Sequence, residues 1–264
     1  MEAHVVRISI APVKSLGLVH PETVDLRSDG VQGDRRFWLV DADGRLFNNK
    51  RNGPMMTIGP AWDEATGQLS LSFPDGTQVA DRVELGEPVA VELYGRPHPS
   101  RRVVGPWEEA ISRSVGRPLT LLWSENHATD RGHDGGTVSL VSRGSLERLR
   151  EEAGVEVPID GRRFRMMFEI EGVPAHAEDE WIGSTVHVGD AEIVVNGDVG
   201  RCLVTSQDPD RGVTDLDTLG TLASYRREGR NEPLPFGVYG AVTAPGRVRV
   251  GDTVRAPNNG RAQG

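Results

Sequence analysis

The residue with the most distinctive chemistry in this sequence is Cys202, the only cysteine among 264 residues. It lies in the stretch GRCLVTSQDPD, between a run of alternating apolar and polar residues and a turn rich in Asp and Pro. A cysteine thiolate is a soft ligand that suits a soft metal or the transfer of sulfur. A lone cysteine also often packs as a small hydrophobic residue. The role of Cys202 therefore depends on which other residues the chain brings to it.

Cationic residues at strand ends are the second chemical feature. Lys14 and Lys50 are the only lysines among 30 basic residues, so a lysine within a motif stands out. Lys14 and Ser15 follow a predicted strand over residues 5–11, and together they offer a point charge and a hydroxyl donor to an anion. Arg35 and Arg36 begin a strand predicted over residues 34–40, where consecutive side chains point to opposite faces. Either one arginine faces inward, or both lie at an edge.

Two polar stretches suggest chemistry but have simpler explanations. The segment 127–136 contains two His and two Asp residues, yet no third ligand follows with the spacing of a zinc motif, which favours a solvated loop. These residues are His127, Asp130, His133 and Asp134. The acidic run 176–183 could do acid–base work, although a charged loop over an apolar Trp is the better interpretation. Two familiar signatures, a GxxxxGK[ST] phosphate loop and a GxSxG nucleophile elbow, are absent from the sequence.

Composition narrows the class of protein. The formal charge of −9 disfavours nucleic acid and anionic membranes as partners. A single cysteine excludes an intramolecular disulfide and any cysteine-cluster metal site within this chain. We find neither an apolar run of about 18 residues nor a signal-type N-terminus, and we expect a soluble cytoplasmic protein with no membrane contact. The segment 256–264 is predicted to be a flexible tail.

Many short strands must position these side chains. Alternating patterns and turn residues predict strands over 5–11, 34–40, 45–49, 68–73, 77–80, 88–94, 119–123, 137–141, 161–170, 185–188, 191–195, 236–242 and 247–250. Strands at such spacing are typical of a barrel or sandwich rather than of βαβ units. The sequence therefore predicts a mostly β (α+β) fold with a few short helices.

Three helices interrupt the strands. One is predicted over residues 107–115, and another over 218–228 is capped by Asp217. Between them, Ser142 is a suitable N-cap for a helix that ends at Gly154. That capping role explains Ser142, although its hydroxyl could also face a ligand at the helix start. We predict a domain boundary near residue 117, with residues 1–117 as the first domain, 118–255 as the second, and the strand over 119–123 as the first strand of the second domain.

The order of several motifs resembles a known family. PVKS, DRRFW, a Ser-capped helix, an FR strand, AEDEW, GRC with LVTSQDPD, FGVYG and PGRVRVGD follow one another from about residue 5 to residue 255. This series resembles the MOSC domain joined to its N-terminal β-barrel domain, the architecture of the amidoxime reducing components and their bacterial relatives. The resemblance implies an N-terminal β-barrel domain followed by a MOSC β-barrel.

The resemblance also implies a molybdenum cofactor, which is a pterin dithiolene that binds molybdenum. The family's GRC cysteine, which ligates the metal, maps to Cys202, and the FG-x-Y tyrosine near the metal maps to Tyr239. The residues expected to hold the cofactor are Lys14, Ser15, Arg35 or Arg36, Ser142, Arg165 and Arg201. Two residues depart from the family pattern, because Met166 and Met167 replace its proline and asparagine.

The resemblance leaves three functions open. The first is reduction of small N-hydroxylated substrates such as amidoximes and hydroxylamines, with electrons from a separate flavin, iron–sulfur or cytochrome protein. The second is a carrier of the molybdenum cofactor, or of sulfur as a persulfide on Cys202, as in the sulfurase that contains a MOSC domain. The third is a metal-free MOSC fold that uses thiol chemistry.

Overall fold

The computed structural model describes residues 2–125 and 136–257. The described chain is mostly β, as the sequence predicts. Its strands are, in chain order, β1 (Ala3–Ile8), β2 (Thr23–Arg27), β3 (Gly30–Val31), β4 (Phe37–Val40), β5 (Leu46–Phe47), β6 (Gly59–Asp63), β7 (Gln68–Ser72), β8 (Gln78–Arg82), β9 (Glu84–Leu93), β10 (Arg96–Val104), β11 (Thr120–Ser124), β12 (Val138–Ser142), β13 (Phe168–Glu171), β14 (Thr185–Val188), β15 (Ala191–Gly200), β16 (Pro235–Ala244), β17 (Gly246–Arg249) and β18 (Thr253–Arg255).

Three short α-helices confirm the predicted helical segments. They are α1 (Trp107–Val115), α2 (Arg143–Ala153) and α3 (Thr218–Tyr225). The side chain of Ser142 caps α2, and Gly154 ends that helix in the left-handed conformation. Four single turns of 3-10 helix span Gly53–Thr57, Gly161–Phe164, Ala177–Trp181 and Leu203–Ser206. In the described ranges, no helix is long and apolar enough to cross a membrane.

A closed barrel forms the C-terminal half. Its seven strands follow the order β1, β13, β12, β16, β15, β14 and β18, and the barrel closes between β18 and β1. Alternate side chains of β14 and β15 point inward to a core that includes Val186, Ile193 and Val195. The two longest strands, β15 and β16, pair through three irregularities in register. Such bulges bend strands and re-aim side chains near sites.

A small sheet of order β17, β2 and β3 packs on the barrel and contributes to its core. Two further open sheets form the N-terminal half. One has the strand order β5, β4, β11, β10 and β9, and the other has the order β6, β7 and β8. They share a buried core with Trp107 and Ile111 of α1, including Phe37, Leu69 and Leu121. The indole nitrogen of Trp107 donates to the carbonyl of Leu69 at 2.9 Å, which ties α1 to the smaller sheet.

The structure corrects three details of the sequence analysis. Strand β11 lies between β4 and β10, so the segment 119–123 belongs to the sheet of the N-terminal half and not to the barrel. Conversely, β1 lies in the barrel between β13 and β18. The predicted strand over 161–170 is instead a 3-10 turn followed by β13, because Asp160 caps the turn and Arg165 ends it in the left-handed conformation. Alternation of apolar and polar residues predicts a strand but does not reveal which sheet the strand joins, so the positions of β1 and β11 could not be predicted from it.

Candidate functional site

A cavity of about 450 Å³ lies between the two halves and contains Cys202 in its wall. The N-terminal half supplies Lys14, Ser15 and Arg35, and the C-terminal half supplies Arg165. The cationic side chains that line it are Lys14, Arg35, Lys50, Arg163, Arg165 and Arg201. Cations on several sides of a partly enclosed space attract an anion more strongly than the same cations in open solvent.

Cys202 lies where the barrel strand β15 has ended and a 3-10 turn begins. It caps the turn Leu203–Ser206, and its carbonyl accepts hydrogen bonds from the backbone N–H and the hydroxyl of Thr205, both at 3.0 Å. These bonds fix the backbone of Cys202 while its side chain lines the cavity. The residue is neither fully buried nor fully exposed. Its sulfur is therefore held at the cavity wall, where a ligand can approach it.

The loop after β1 brings Lys14 and Ser15 to the cavity. The backbone N–H of Lys14 donates to the carbonyl of Phe37 at 2.7 Å, and the N–H of Arg35 donates to the carbonyl of Ala11 at 2.7 Å. The two segments therefore run side by side, which places Lys14 near Arg35. Both side chains, like that of Ser15, are more than nine-tenths buried. Such burial of cations requires anionic or polar partners.

Arg165 connects the two halves at the cavity. Its guanidinium donates to the carbonyl of Leu16 at 2.8 Å, and its own carbonyl accepts a hydrogen bond from Arg35 at 3.2 Å. Arg35 also pairs with Asp34, whose other oxygen accepts the N–H of Ala11 at 2.7 Å. These contacts join the loop after β1, the turn before β4 and the turn before β13 in one network. The positions of the cationic side chains are therefore set by the backbone of both halves.

Unusual backbone conformations concentrate at this cavity. Of the six described residues other than glycine that have positive φ, four line it. They are Ser15 (φ 76°), Arg35 (φ 51°), Tyr94 (φ 53°) and Arg165 (φ 53°). Each such residue costs of the order of 1 kcal/mol of conformational free energy, and residues of this kind cluster at functional sites. Three of these strained residues, Ser15, Arg35 and Arg165, are residues that the sequence predicted to bind an anion.

Arg201 has a different position from the other arginines. Its Nε donates to the carbonyl of Phe236 at 2.8 Å, and its Nη1 donates to the carbonyl of Phe164 at 3.1 Å. The guanidinium also lies over the ring of Phe164. Arg201 also contacts the sulfur of Met166 at 2.9 Å. It therefore supports the wall behind Cys202 and adds positive charge to the cavity.

A smaller pocket of about 70 Å³ adjoins the large cavity and contains Tyr239. The two cavities share Arg35, Arg165 and Arg201 in their walls. Met166 and Met167, which replace the family's proline and asparagine, both line the smaller pocket. The N–H of Met167 donates to the hydroxyl of Ser139, at 3.0 Å. Tyr239 thus lines the smaller pocket, next to the arginines that the two cavities share, and does not line the large cavity that contains Cys202.

Two predicted residues lie away from the cavity. Arg36 stacks on Trp123 with its guanidinium 3.9 Å from the ring centre, and burial lowers its pKa. The choice between Arg35 and Arg36 therefore falls on Arg35. Ser142 is fully buried, and its hydroxyl accepts the N–H of Ser145 at 3.0 Å as the cap of α2. The serine of β12 that lines a pocket is Ser139.

The predicted solvated loop lies outside the described residues, and with it His127, Asp130, His133 and Asp134. The acidic run is a 3-10 turn whose Glu178 is fully buried. Its carboxylate accepts from the N–H of Ser142 at 3.1 Å and from the hydroxyl of Ser145 at 2.7 Å. Glu178 therefore holds α2 against the barrel and is remote from the cationic cavity.

Several residues of the cavity were not predicted from the sequence. They are Asn48, Asn49, Lys50, Tyr94, Arg163 and Glu232. The rarity of lysine in the sequence could have pointed to Lys50, since the only two lysines of the chain, Lys14 and Lys50, both line this cavity. Asn49 is buried, and its amide nitrogen has no hydrogen-bond partner within the described protein. The remaining residues belong to turns whose position depends on contacts between the halves.

Comparison with known proteins agrees with this architecture. The model of the MOSC domain matches residues 127–255, and that of the MOSC N-terminal beta barrel domain matches residues 2–93. Mitochondrial amidoxime-reducing component 1 of Mus musculus is 38% identical over 95% of this chain and 81% of its own length. The protein of that name from Homo sapiens is 26% identical over 95% of this chain and 82% of its own length.

A second group of relatives has a different name. Molybdenum cofactor sulfurase of Oryza sativa subsp. japonica is 24% identical over 86% of this chain, which corresponds to 31% of that longer protein. The matches to the amidoxime-reducing components instead span most of both chains. The chain therefore belongs to the MOSC-domain family, and within it to the proteins that also contain the MOSC N-terminal beta barrel domain.

Proposed function

We propose that this protein is a reductase of small N-hydroxylated compounds that uses a molybdenum cofactor. The observation that supports this proposal is a thiol in the wall of a cavity lined by six cationic side chains. A volume of about 450 Å³ falls within the range of small-molecule and cofactor sites. The relatives named amidoxime-reducing components support the class of reaction.

The residues of the cavity fit the chemistry of this cofactor. The thiolate of Cys202 can serve as a protein ligand to molybdenum, and a bound metal keeps a coordinating thiol deprotonated. Lys14, Arg35 and Arg165 supply the positive charge for the cofactor's phosphate, and Ser15 supplies a hydroxyl donor. The unpartnered amide nitrogen of Asn49 supplies one further donor in the same lining.

When bound, the cofactor supplies a two-electron redox centre that can remove oxygen from a substrate. For an amidoxime the balance is one substrate, two electrons and two protons giving one amidine and one water. The N–O bond breaks, the nitrogen is reduced, and the oxygen leaves as water. The chain orients the substrate beside Cys202, and its cations neutralise the charge of the cofactor. The electrons come from a separate electron-transfer protein of the flavin, iron–sulfur or cytochrome class.

Metal analysis combined with turnover tests this function. Protein purified from a host that is supplied with molybdate should contain about one molybdenum per chain, and the Cys202→Ala variant should lose it. The loaded protein should reduce benzamidoxime to benzamidine with an artificial electron donor. A protein with the metal but no turnover of benzamidoxime, N-hydroxyguanidine or hydroxylamine substrates would contradict the proposed reaction.

A carrier function is the second candidate, because one relative is named molybdenum cofactor sulfurase. In this case Cys202 would carry a persulfide, or the cavity would hold the cofactor for delivery. Mass spectrometry of the protein after exposure to a persulfide donor distinguishes the two. A stable addition of one sulfur atom at Cys202, together with transfer of cofactor to an acceptor enzyme, favours the carrier.

A further inference from the structure

Glu232 is the one acidic residue among the described residues that line the cavity of Cys202. It lies against Gly200, two residues before Cys202 in the chain. A Cβ atom at position 200 would lie 2.5 Å from a carboxylate oxygen of Glu232, so a side chain there would displace Glu232. The glycine thus gives the carboxylate room directly beside the backbone that leads to Cys202.

The loop that contains Glu232 is fixed by a buried acid. Asp198 of β15 is 3% exposed, and its carboxylate accepts hydrogen bonds from the N–H groups of three consecutive loop residues. The bond from the N–H of Glu232 is 2.9 Å long, and that from Asn231 is 3.2 Å. Gly229 permits this contact, because a Cβ there would lie 2.4 Å from an oxygen of Asp198. A buried acceptor with several donors holds the backbone of its loop in place, so Asp198 fixes the main-chain position of Glu232 beside the cavity.

A carboxylate at this position does not serve the cofactor. An anionic phosphate gains from the six cationic side chains and loses from a nearby negative charge. A carboxylate instead recognises a cation or a group with several N–H donors. An amidoxime has an amino group on the carbon next to its N–OH group, and its amidine product is a cation that offers N–H donors to both carboxylate oxygens.

We propose that Glu232 binds the amino group of the substrate and so selects amidoximes and N-hydroxyguanidines over N-hydroxylated compounds without such a group. This inference rests on the proposed reductase function. It assigns a substrate class to the cavity: small compounds in which the reducible N–OH group and an NH2 group share one carbon. Glu232 is then a residue that contacts substrate, while Asp198 is a positioning residue that acts through the loop.

The test compares two ligands that differ in a single group. Benzamidoxime and acetophenone oxime have the same ring and the same N–OH group, but a methyl group replaces NH2 in the second compound. We would measure kcat/KM for benzamidoxime, the inhibition constant of acetophenone oxime, and the affinity of benzamidine by calorimetry. The holoprotein, its Glu232→Gln variant and the control Glu228→Gln are compared, because Glu228 is exposed in the same loop and does not line the cavity.

We expect Glu232→Gln to weaken benzamidine binding and to lower kcat/KM for benzamidoxime by about tenfold or more, as for the loss of a hydrogen bond to a charged group. The inhibition constant of acetophenone oxime should change less than about threefold, and Glu228→Gln should match wild type. Glu232→Asp, which keeps the charge, should restore part of the benzamidine affinity. Equal losses for both ligands would indicate a merely structural role and overturn the proposal.

The two proposals fail separately. If the wild type contains molybdenum but reduces no benzamidoxime, the reductase function is wrong, and the benzamidine measurement still decides whether Glu232 contacts an amidine. If the wild type reduces benzamidoxime and benzamidine binds equally well to Glu232→Gln, the reductase function stands and the role of Glu232 is overturned. Molybdenum content and thermal unfolding of each variant show that its cavity is intact.

Discussion

At the scale of single residues, the candidate site is distinguished by a cysteine that is fixed in place and partly accessible. Cys202 is fixed through its carbonyl by Thr205, and its side chain lines a cavity instead of the barrel core. Lys14 and Arg165, which are 151 positions apart in the sequence, line the same cavity. This convergence is the arrangement that the thiol-ligand hypothesis requires.

Replacing Cys202 should separate metal binding from folding. Cys202→Ser keeps the size of the side chain but replaces a soft ligand with a hard one, so retained molybdenum should fall to about a tenth or less of the wild-type amount. Stability should change little, because the thiol is not part of a core cluster. Molybdenum analysis and urea unfolding measure the two effects. Because the pterin dithiolene also holds the metal, full retention together with an unchanged absorption spectrum in the Ser variant would remove Cys202 as the ligand.

Arg165 offers a variant that separates cofactor binding from stability. Glycine accepts φ of 53° without the steric cost that arginine bears, and this gain offsets the lost hydrogen bond to the carbonyl of Leu16. Arg165→Gly should therefore change the free energy of unfolding by no more than about 1 kcal/mol. Cofactor retention should fall, because a cationic donor is lost. Extraction of the pterin and its fluorescence report retention. As a matched comparison, Arg163→Gly removes an arginine whose guanidinium already pairs with Asp215, and it should retain more cofactor.

The sequence indicated which types of residue lie at the site, but it did not indicate which way each side chain points. The choice between Arg35 and Arg36 stayed open because a strand was expected from residue 34, whereas β4 begins at Phe37 and Arg35 has positive φ. Positive φ in an arginine follows from tertiary contacts such as the bond from its N–H to Ala11. Such a contact cannot be predicted from the amino-acid composition or from the alternation of apolar and polar residues. The same reason explains why Glu232 was missed.

At the scale of elements, the loop after α3 depends on a single buried carboxylate. Asp198→Ala should remove the acceptor of three backbone N–H groups and lower the free energy of unfolding by about 1–3 kcal/mol. Benzamidine affinity should fall as well, since the loop that positions Glu232 is released. Urea unfolding and calorimetry measure these changes. Asp190→Ala at the exposed turn between β14 and β15 should stay within about 0.5 kcal/mol of wild type.

The junction of α2 and the barrel should make stability depend on pH. Burial, followed by the charges of Arg226 and Arg148, lowers the pKa of His176 to about 4. The unfolded chain takes up a proton below about pH 6.5 while the folded protein does not, so His176 costs stability as pH falls from about 6.5 towards 4.

Substitution of His176 should therefore flatten this part of the pH profile. His176 has φ of 61°, a conformation that asparagine tolerates, so His176→Asn is the suitable variant. Urea unfolding at pH 7 and pH 5 should show a smaller loss for the variant than for wild type. His187→Asn, at an exposed position of β14, should keep the wild-type loss. The comparison isolates His176 from Glu178, whose pKa is raised by burial and which acts in the opposite direction.

At the scale of the whole molecule, the two halves exchange strands. Strand β1 belongs to the barrel of the C-terminal half, and the chain enters the N-terminal sheets only after it. Short-range patterns predicted all three helices and most strands, because hydrophobic period and capping residues are local properties. The strands β2, β3, β6, β10 and β18 were not predicted. Strand β1 pairs with β13 and β18, and β11 pairs with β4 as well as with the preceding strand β10. Pairing between strands so far apart in sequence could not be predicted from local patterns.

Neither half should therefore fold alone. A fragment of residues 118–255 lacks β1 and leaves β13 and β18 with unpaired edges, which favours aggregation. We expect this fragment to be insoluble or unfolded by circular dichroism, and we expect soluble protein when residues 2–117 are expressed with it. A folded, monomeric 118–255 fragment would contradict the strand exchange.

The pairing of Ala3 with Val254 also sets the order of events during synthesis. Strand β1 must wait for β18, about 250 residues later in the sequence, before the barrel can close. Contacts across such a long separation in sequence slow folding, and the growing chain exposes an open β edge until β18 has been synthesised. The barrel that borders the cavity is consequently complete only once β18 has been synthesised, so we expect a ligand to bind the cavity after that point.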